Sequence, residues 1–144
     1  MNFVPNRRPR PSAADLGALQ ILVVDDQPAA IALIKAMLLG LGAPPAVTVN
    51  DPRKALQLLR SSDVLFDVVL CDWRMPEMSG LDLLKQVRIL RPELPFLMVT
   101  GAADAASVLA AKAHGASGYI CKPFSADELG RKLAVIARIA AHRR

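Results

Sequence analysis

Aromatic side chains are scarce in this chain, 4% of 144 residues, and it holds only two histidines and two cysteines. No CxxC pair, zinc-ligand spacing, helix-turn-helix or aromatic-rich RNA motif is present, so structural zinc and nucleic-acid partners are not expected. No apolar run approaches the roughly 20 residues that span a bilayer. The opening residues, MNFVPNRRPRPSAAD, lack the apolar centre of a secretory signal and carry Pro5, Pro9 and Pro11. The expectation is a cytoplasmic protein with no membrane partner, in which residues 1–17 form a flexible basic arm.

What is present is apolar and small. Hydrophobic residues make up 53% of the chain, much of it alanine, so helices should be abundant. This length suits one domain with a full core. The formal charge of +5 gathers at the ends. Arg7, Arg8 and Arg10 lie in the arm, and Arg131, Lys132, Arg138, Arg143 and Arg144 lie near the C-terminus. Basic ends usually serve solubility or a weak anion patch.

The stretch Phe66–Gly80 reads FDVVLCDWRMPEMSG. Val68–Cys71 is apolar at every position, as suits a parallel strand covered on both faces. The run stops at Asp72, and Met75-Pro76 and Ser79-Gly80 break the backbone into a loop. A carboxylate therefore stands where a buried strand meets water, the edge at which open α/β sheets collect chemistry. A plainer reading makes Asp72 a cap of the next helix. Similar runs end elsewhere in polar residues: Ile21–Val24 in Asp25-Asp26, Phe96–Val99 in Thr100, and Ser117–Cys121 in Lys122-Pro123. Ala46–Val49 is a shorter strand.

Apolar spacing predicts helices between the strands. The first begins at Pro28, buries Ile31, Ile34, Leu38 and Leu41, and stops at Gly40 and Gly42. The second, started by Asn50 or Asp51, covers Arg53–Arg60 with Ala55, Leu56 and Leu59 inward. The third, Leu81–Leu90, buries Leu81, Leu84 and Val87. A fourth, alanine-rich, spans Asp104–His114. The fifth starts from the capping-box spacing of Ser125 and Glu128 and buries Leu129, Leu133, Ile136 and Ala140. Five strands alternating with five helices make an α/β protein, and right-handed crossovers put helices on both faces of a parallel sheet.

One edge of that sheet collects Asp25, Asp26, Asp72, Thr100 and Lys122. Three crowded carboxylates need a cation if all are to ionise. Oxygen ligands without histidine or thiolate select a hard ion, Mg²⁺ or Mn²⁺. The lysine and the hydroxyl supply donors for an anion's oxygens. Such a site is equipped to receive a phosphoryl group on a carboxylate.

Four pieces follow one another in order: VVDD at 23–26, CDWRMPEMSG at 71–80, VTGA at 99–102 and YICKPF at 119–124. Through them the sequence resembles the receiver domains of bacterial two-component response regulators, in particular the single-domain chemotaxis type, over about residues 19–140. The resemblance implies a flavodoxin-like, doubly wound (βα)5 fold with a five-stranded parallel sheet in the order 2-1-3-4-5. A receiver domain over residues 18–142 and a basic tail at 143–144 are expected. By the same resemblance Asp72 is the phosphoacceptor. Asp26 and Asp72 ligate Mg²⁺ with the Arg74 backbone carbonyl, and Asp25 acts through water. Lys122 pairs with the phosphoryl group and precedes a cis Pro123; Thr100 turns to the new phosphoryl oxygen, and Tyr119 turns inward with it.

The partners implied are a sensor histidine kinase or phosphotransfer protein, and a downstream protein bound by helix 4, strand 5 and helix 5. A small phosphodonor can stand in for the kinase, and a phosphorylation-dependent dimer is compatible with the resemblance. Such a switch assists its own phosphorylation and dephosphorylation but is not a turnover enzyme. With that strand order, Cys71 and Cys121, both expected to be buried, stand roughly 9–10 Å apart, beyond disulfide reach. Arg74 places a long cation at the mouth of the site, where it would shield an acyl phosphate from water; a surface pair with Glu77 is the alternative.

Two other functions compete. The basic last helix and tail would serve an anion or cyclic-dinucleotide effector, with the fold as scaffold. Binding that ignored Asp72 but weakened on deletion of residues 138–144 would mark that case. The chain would otherwise be a receiver cut from a longer protein or working beside a separate output protein.

Overall fold

The computed structural model describes residues 16–143 apart from 62, 102 and 103. Arg7, Arg8 and Arg10 of the expected arm, Ala102 and Arg144 lie outside the described residues. Strands and helices alternate: β1 (Ile21–Val24), α1 (Pro28–Gly40), β2 (Val47–Val49), α2 (Pro52–Arg60), β3 (Val68–Asp72), α3 (Gly80–Leu90), β4 (Phe96–Thr100), α4 (Ala105–Ala113), β5 (Gly118–Cys121) and α5 (Ala126–Arg143). The strands form one sheet in the order β2-β1-β3-β4-β5, and every neighbouring pair is parallel. This is the doubly wound, flavodoxin-like arrangement.

The runs without alternation are explained by burial on two sides. Ile21, Val23, Val68, Leu70, Leu97, Val99 and Ile120 pack with Ile34 and Leu38 of α1 and Leu129, Leu133 and Ile136 of α5. The residues between them, Leu22, Val24, Val69, Cys71, Phe96 and Met98, pack on the other face with α2 and α3, through Ala55, Leu56, Leu59, Leu83, Leu84 and Val87. Each large side chain so buried contributes about 1.5–3 kcal/mol, which holds strands too short to persist alone.

Local chemistry sets the helix starts. Asp51, rather than Asn50, caps α2 by accepting Arg53 N–H at 2.8 Å. Ser79 caps α3 in a capping box with Asp82, Asp104 accepts Ser107 N–H at 2.7 Å, and Ser125 Oγ accepts Glu128 N–H at 3.1 Å. Gly42 and Gly115, at φ 82° and 93°, follow the ends of α1 and α4, where left-handed backbone favours glycine.

The structure corrects several expectations. On α3 the buried stripe is Gly80, Leu83, Leu84 and Val87, with Leu81 only half-buried; positions i, i+3, i+4 and i+7 share one helix face. Ile31 and Leu41 are likewise half-buried. Leu16 is fully buried in the α1–α5 core layer, so the packed unit reaches back beyond the expected boundary at residue 18. Arg143 belongs to α5, not to a tail. Cys71 is buried but Cys121 is exposed, and both are free, on strands separated by β4.

Candidate functional site

The carboxyl edge of the sheet is extended by backbone bonds just past the strands. Asp25 N–H reaches Val49 O at 3.2 Å, Trp73 N–H reaches Val99 O at 3.1 Å, and Lys122 N–H reaches Thr100 O at 2.8 Å. These bonds hold the polar residues that end β1, β3, β4 and β5 side by side. Asp25, Asp72 and Thr100 are all buried, at 1%, 8% and 5% exposure. Lys122 Nζ bridges the two acids, 3.3 Å from Asp25 Oδ2 and 3.4 Å from Asp72 Oδ1. The other Asp25 oxygen accepts Gln27 N–H at 2.9 Å. The Lys122–Pro123 bond is cis.

One carboxylate oxygen from each of Asp25, Asp26 and Asp72 lies within 4.8 Å of the others. One lysine cannot neutralise three carboxylates. The balance shows at Asp72, whose carboxyl is raised above the ordinary 3.8; burial is the main cause, offset by Lys122, with Asp25 and Asp26 adding repulsion. Asp26 Oδ1 is buried and has no hydrogen-bond partner among the described residues. A buried acceptor left unpaired is costly, and a hard cation satisfies it. The residues therefore fit a Mg²⁺-type ion on their own chemistry.

The sequence-predicted residues divide into those that converge and those around them. Asp25, Asp26, Asp72 and Lys122 come together, with Thr100 on the adjoining strand end. Tyr119, on β5, is half-buried against the α2–α3 core layer, and Lys132 Nζ of α5 lies 5.7 Å from its ring centroid. Arg74 is exposed on the loop after Asp72. The surface pair considered for it does not form: Glu77 Oε2 lies 3.0 Å from Arg53 Nη2. The charge of Arg74 is felt instead at Asp104, as the smallest of the influences that lower that carboxyl. Ser79, not Asp72, caps α3.

Three contributors escaped the sequence reading. Gly80, taken for a loop breaker, sits where a Cβ would press on the Asp72 carbonyl oxygen and stand 2.9 Å from Met98 Sδ. Arg53 and Glu77 tie the α2 start to the β3–α3 loop. Only the Ser-Gly pair gave any local signal. A cleft of about 1000 Å³ between Phe66, Leu90 and Ile139 contains none of the site residues.

Comparison with known proteins agrees with this geometry. The family model described as the response regulator receiver domain matches residues 21–134. The chain is 39% identical over 117 residues to chemotaxis protein CheY-3 of Vibrio cholerae, covering 80% of this chain and 88% of that protein. It is 38% identical over 120 residues to chemotaxis protein CheY of Pseudomonas aeruginosa, covering 82% and 95%. Its fold superposes on the crystal structure of a response regulator receiver domain protein from Clostridium thermocellum with TM-score 0.80 at 26% identity, covering 88% of this chain and 99% of that one. Motifs, strand order and family match fall on the same residues, and the chain belongs to the response regulator receiver domain family.

Proposed function

We propose that this receiver is a phosphoacceptor switch in which Asp72 takes the phosphoryl group. The observation that carries the reading is a buried carboxylate at the end of β3, 3.4 Å from the Lys122 ammonium and grouped with two further aspartates. Asp26 and Asp72, with the Arg74 backbone carbonyl, would hold Mg²⁺ or Mn²⁺, and Asp25 would act through water. When bound, the cation neutralises charge on the carboxylates and on the phosphoryl oxygens.

In the transfer an Asp72 carboxylate oxygen attacks phosphorus. The bond from phosphorus to the donor breaks, and its electron pair leaves with the donor. The donor atom is a histidine nitrogen of a kinase or phosphotransfer protein, or an oxygen of acetyl phosphate. Lys122 turns its charge from Asp25 and Asp72 to the incoming phosphoryl oxygens. Thr100 donates its hydroxyl to one of them, and Tyr119 moves inward as Thr100 shifts.

A downstream protein then reads α4, β5 and α5. What supports this face is the weak hold on α4, whose only buried residue is Ala111; a helix with few anchors can shift at modest cost. The receiver unit spans about residues 16–143, from the buried Leu16 to the end of α5. It works in the cytoplasm, assists its own phosphorylation without turning over as an enzyme, and can dimerise when phosphorylated.

Incubation with acetyl phosphate and Mg²⁺, followed by intact-mass measurement, tests this reading. Wild type should gain one phosphoryl group, and neither Asp72→Ala nor a chelated sample should gain any. A mass increase that survives either change overturns the assignment.

A further inference from the structure

The loop between β3 and α3, residues 73–79, leaves the sheet directly from Asp72. Its ends are closed by backbone bonds, Trp73 N–H to Val99 O at 3.1 Å and Gly80 N–H to Trp73 O at 2.8 Å. Met75 and Met78 rest partly buried against the core. The apex is closed by a bond of its own, Met78 N–H to Pro76 O at 2.7 Å, around Glu77. Glu77 stands at φ 70°, a left-handed conformation that residues with a Cβ adopt only when something holds them there.

What reaches Glu77 from another element is Arg53 of α2, with Nη2 3.0 Å from Glu77 Oε2. That same Nη2 donates to Asp51 Oδ2 at 3.0 Å, and Arg53 Nε donates to Asp51 Oδ1 at 3.3 Å. Asp51 also caps α2 by accepting Arg53 N–H at 2.8 Å. The guanidinium is therefore oriented by its own helix start before it meets the loop.

We propose that Arg53 is a positioning residue for the phosphorylation site: by bridging Asp51 and Glu77 it keeps the β3–α3 loop in its left-handed turn, and so fixes the loop that completes the cation site beside Asp72. The proposal rests on the metal reading given above. The Arg53 and Glu77 side chains are 64% and 69% exposed, so their Coulomb attraction is weak and screened by salt. Its effect lies in which backbone conformation the loop keeps. Glycine takes φ 70° freely, so Glu77→Gly should make the bridge dispensable.

Mg²⁺ titration followed by fluorescence of Trp73, the only tryptophan in the chain, reads this without any phosphorylation. Wild type and Glu77→Gly should bind with similar affinity. Arg53→Ala should bind roughly two- to fivefold more weakly, the span of an exposed ion pair, and adding Glu77→Gly to it should restore the affinity. In chelator, exchange of the Met78 amide, bonded to Pro76 O at 2.7 Å, should speed up in Arg53→Ala and return towards the wild-type rate in the double variant. Equal Mg²⁺ affinity in Arg53→Ala and wild type overturns the proposal, as does a loss that persists in the double variant. A wild type whose fluorescence ignores Mg²⁺ overturns the metal reading and the proposal with it.

Discussion

The Cys71 thiol is kept neutral by burial first, and then by the Asp72 and Asp25 carboxylates, all of which push its pKa well above the ordinary 9.0. Only a thiolate attacks a disulfide reagent quickly, so Cys71 should be inert in the native protein. Cys121 ends an equally apolar run, yet it is exposed. The difference is position in the sheet. β3 is flanked by β1 and β4, whereas β5 is an edge strand, and α4, the helix that precedes it, buries only Ala111. Titration with Ellman's reagent should therefore modify one thiol rapidly in the folded protein and the second only on unfolding; Cys121→Ser should abolish the fast phase. Two thiols reacting together would contradict this assignment. Nothing in the two runs, IC and LC before Lys122 and Asp72, tells them apart, because exposure is a property of neighbours.

Helix α4 shows how far a single element can depend on its ends. With Ala111 its only buried residue and Leu109 66% exposed, packing adds little, and the first turn relies on Asp104. The hydrogen bonds to Ser107 are the main cause holding the Asp104 carboxyl below 3.8, with Arg74 adding slightly. A carboxyl lowered in the folded state stabilises it fully above the unfolded value, and that contribution is lost as pH falls through the folded value. Protection of the Ser107 and Val108 amides should accordingly fall below pH 3.8 while β1 and β3 stay protected. In Asp104→Asn, which keeps an oxygen to accept the bond but cannot titrate, the fall should disappear. An unchanged pH response in that variant would show that the cap does not govern the turn. This helix and its end near His114 were legible in the sequence, whereas the cap at Asp104 emerged only from the hydrogen bond to Ser107 N–H.

At the scale of the molecule, Arg88 of α3 joins parts that no local pattern connects. Its Nη1 donates to Leu94 O at 2.6 Å and Arg91 O at 3.2 Å, while Nε and Nη2 donate to Gly115 O at 3.0 and 2.7 Å. One guanidinium thus ties the end of α3 to the approach to β4 and to the turn after α4. Arg88→Ala should lower stability by about 1–3 kcal/mol in urea unfolding, and Arg88→Lys should recover only part, because a point ammonium cannot span acceptors that a planar fork reaches. Full recovery by lysine, or an unmoved midpoint, would refute that role. Local sequence is enough for the strands, the helices and the polar residues closing β1, β3, β4 and β5, because two-sided burial and helical spacing are written over a few neighbouring positions. The direct contact of Lys122 Nζ with Asp25, 97 residues away, the close approach at Gly80, the Arg53–Glu77 bridge and the exposure of Cys121 have no local signature. They depend on which strands become neighbours and on how helices pack across them, and those distances are set by the whole chain at once.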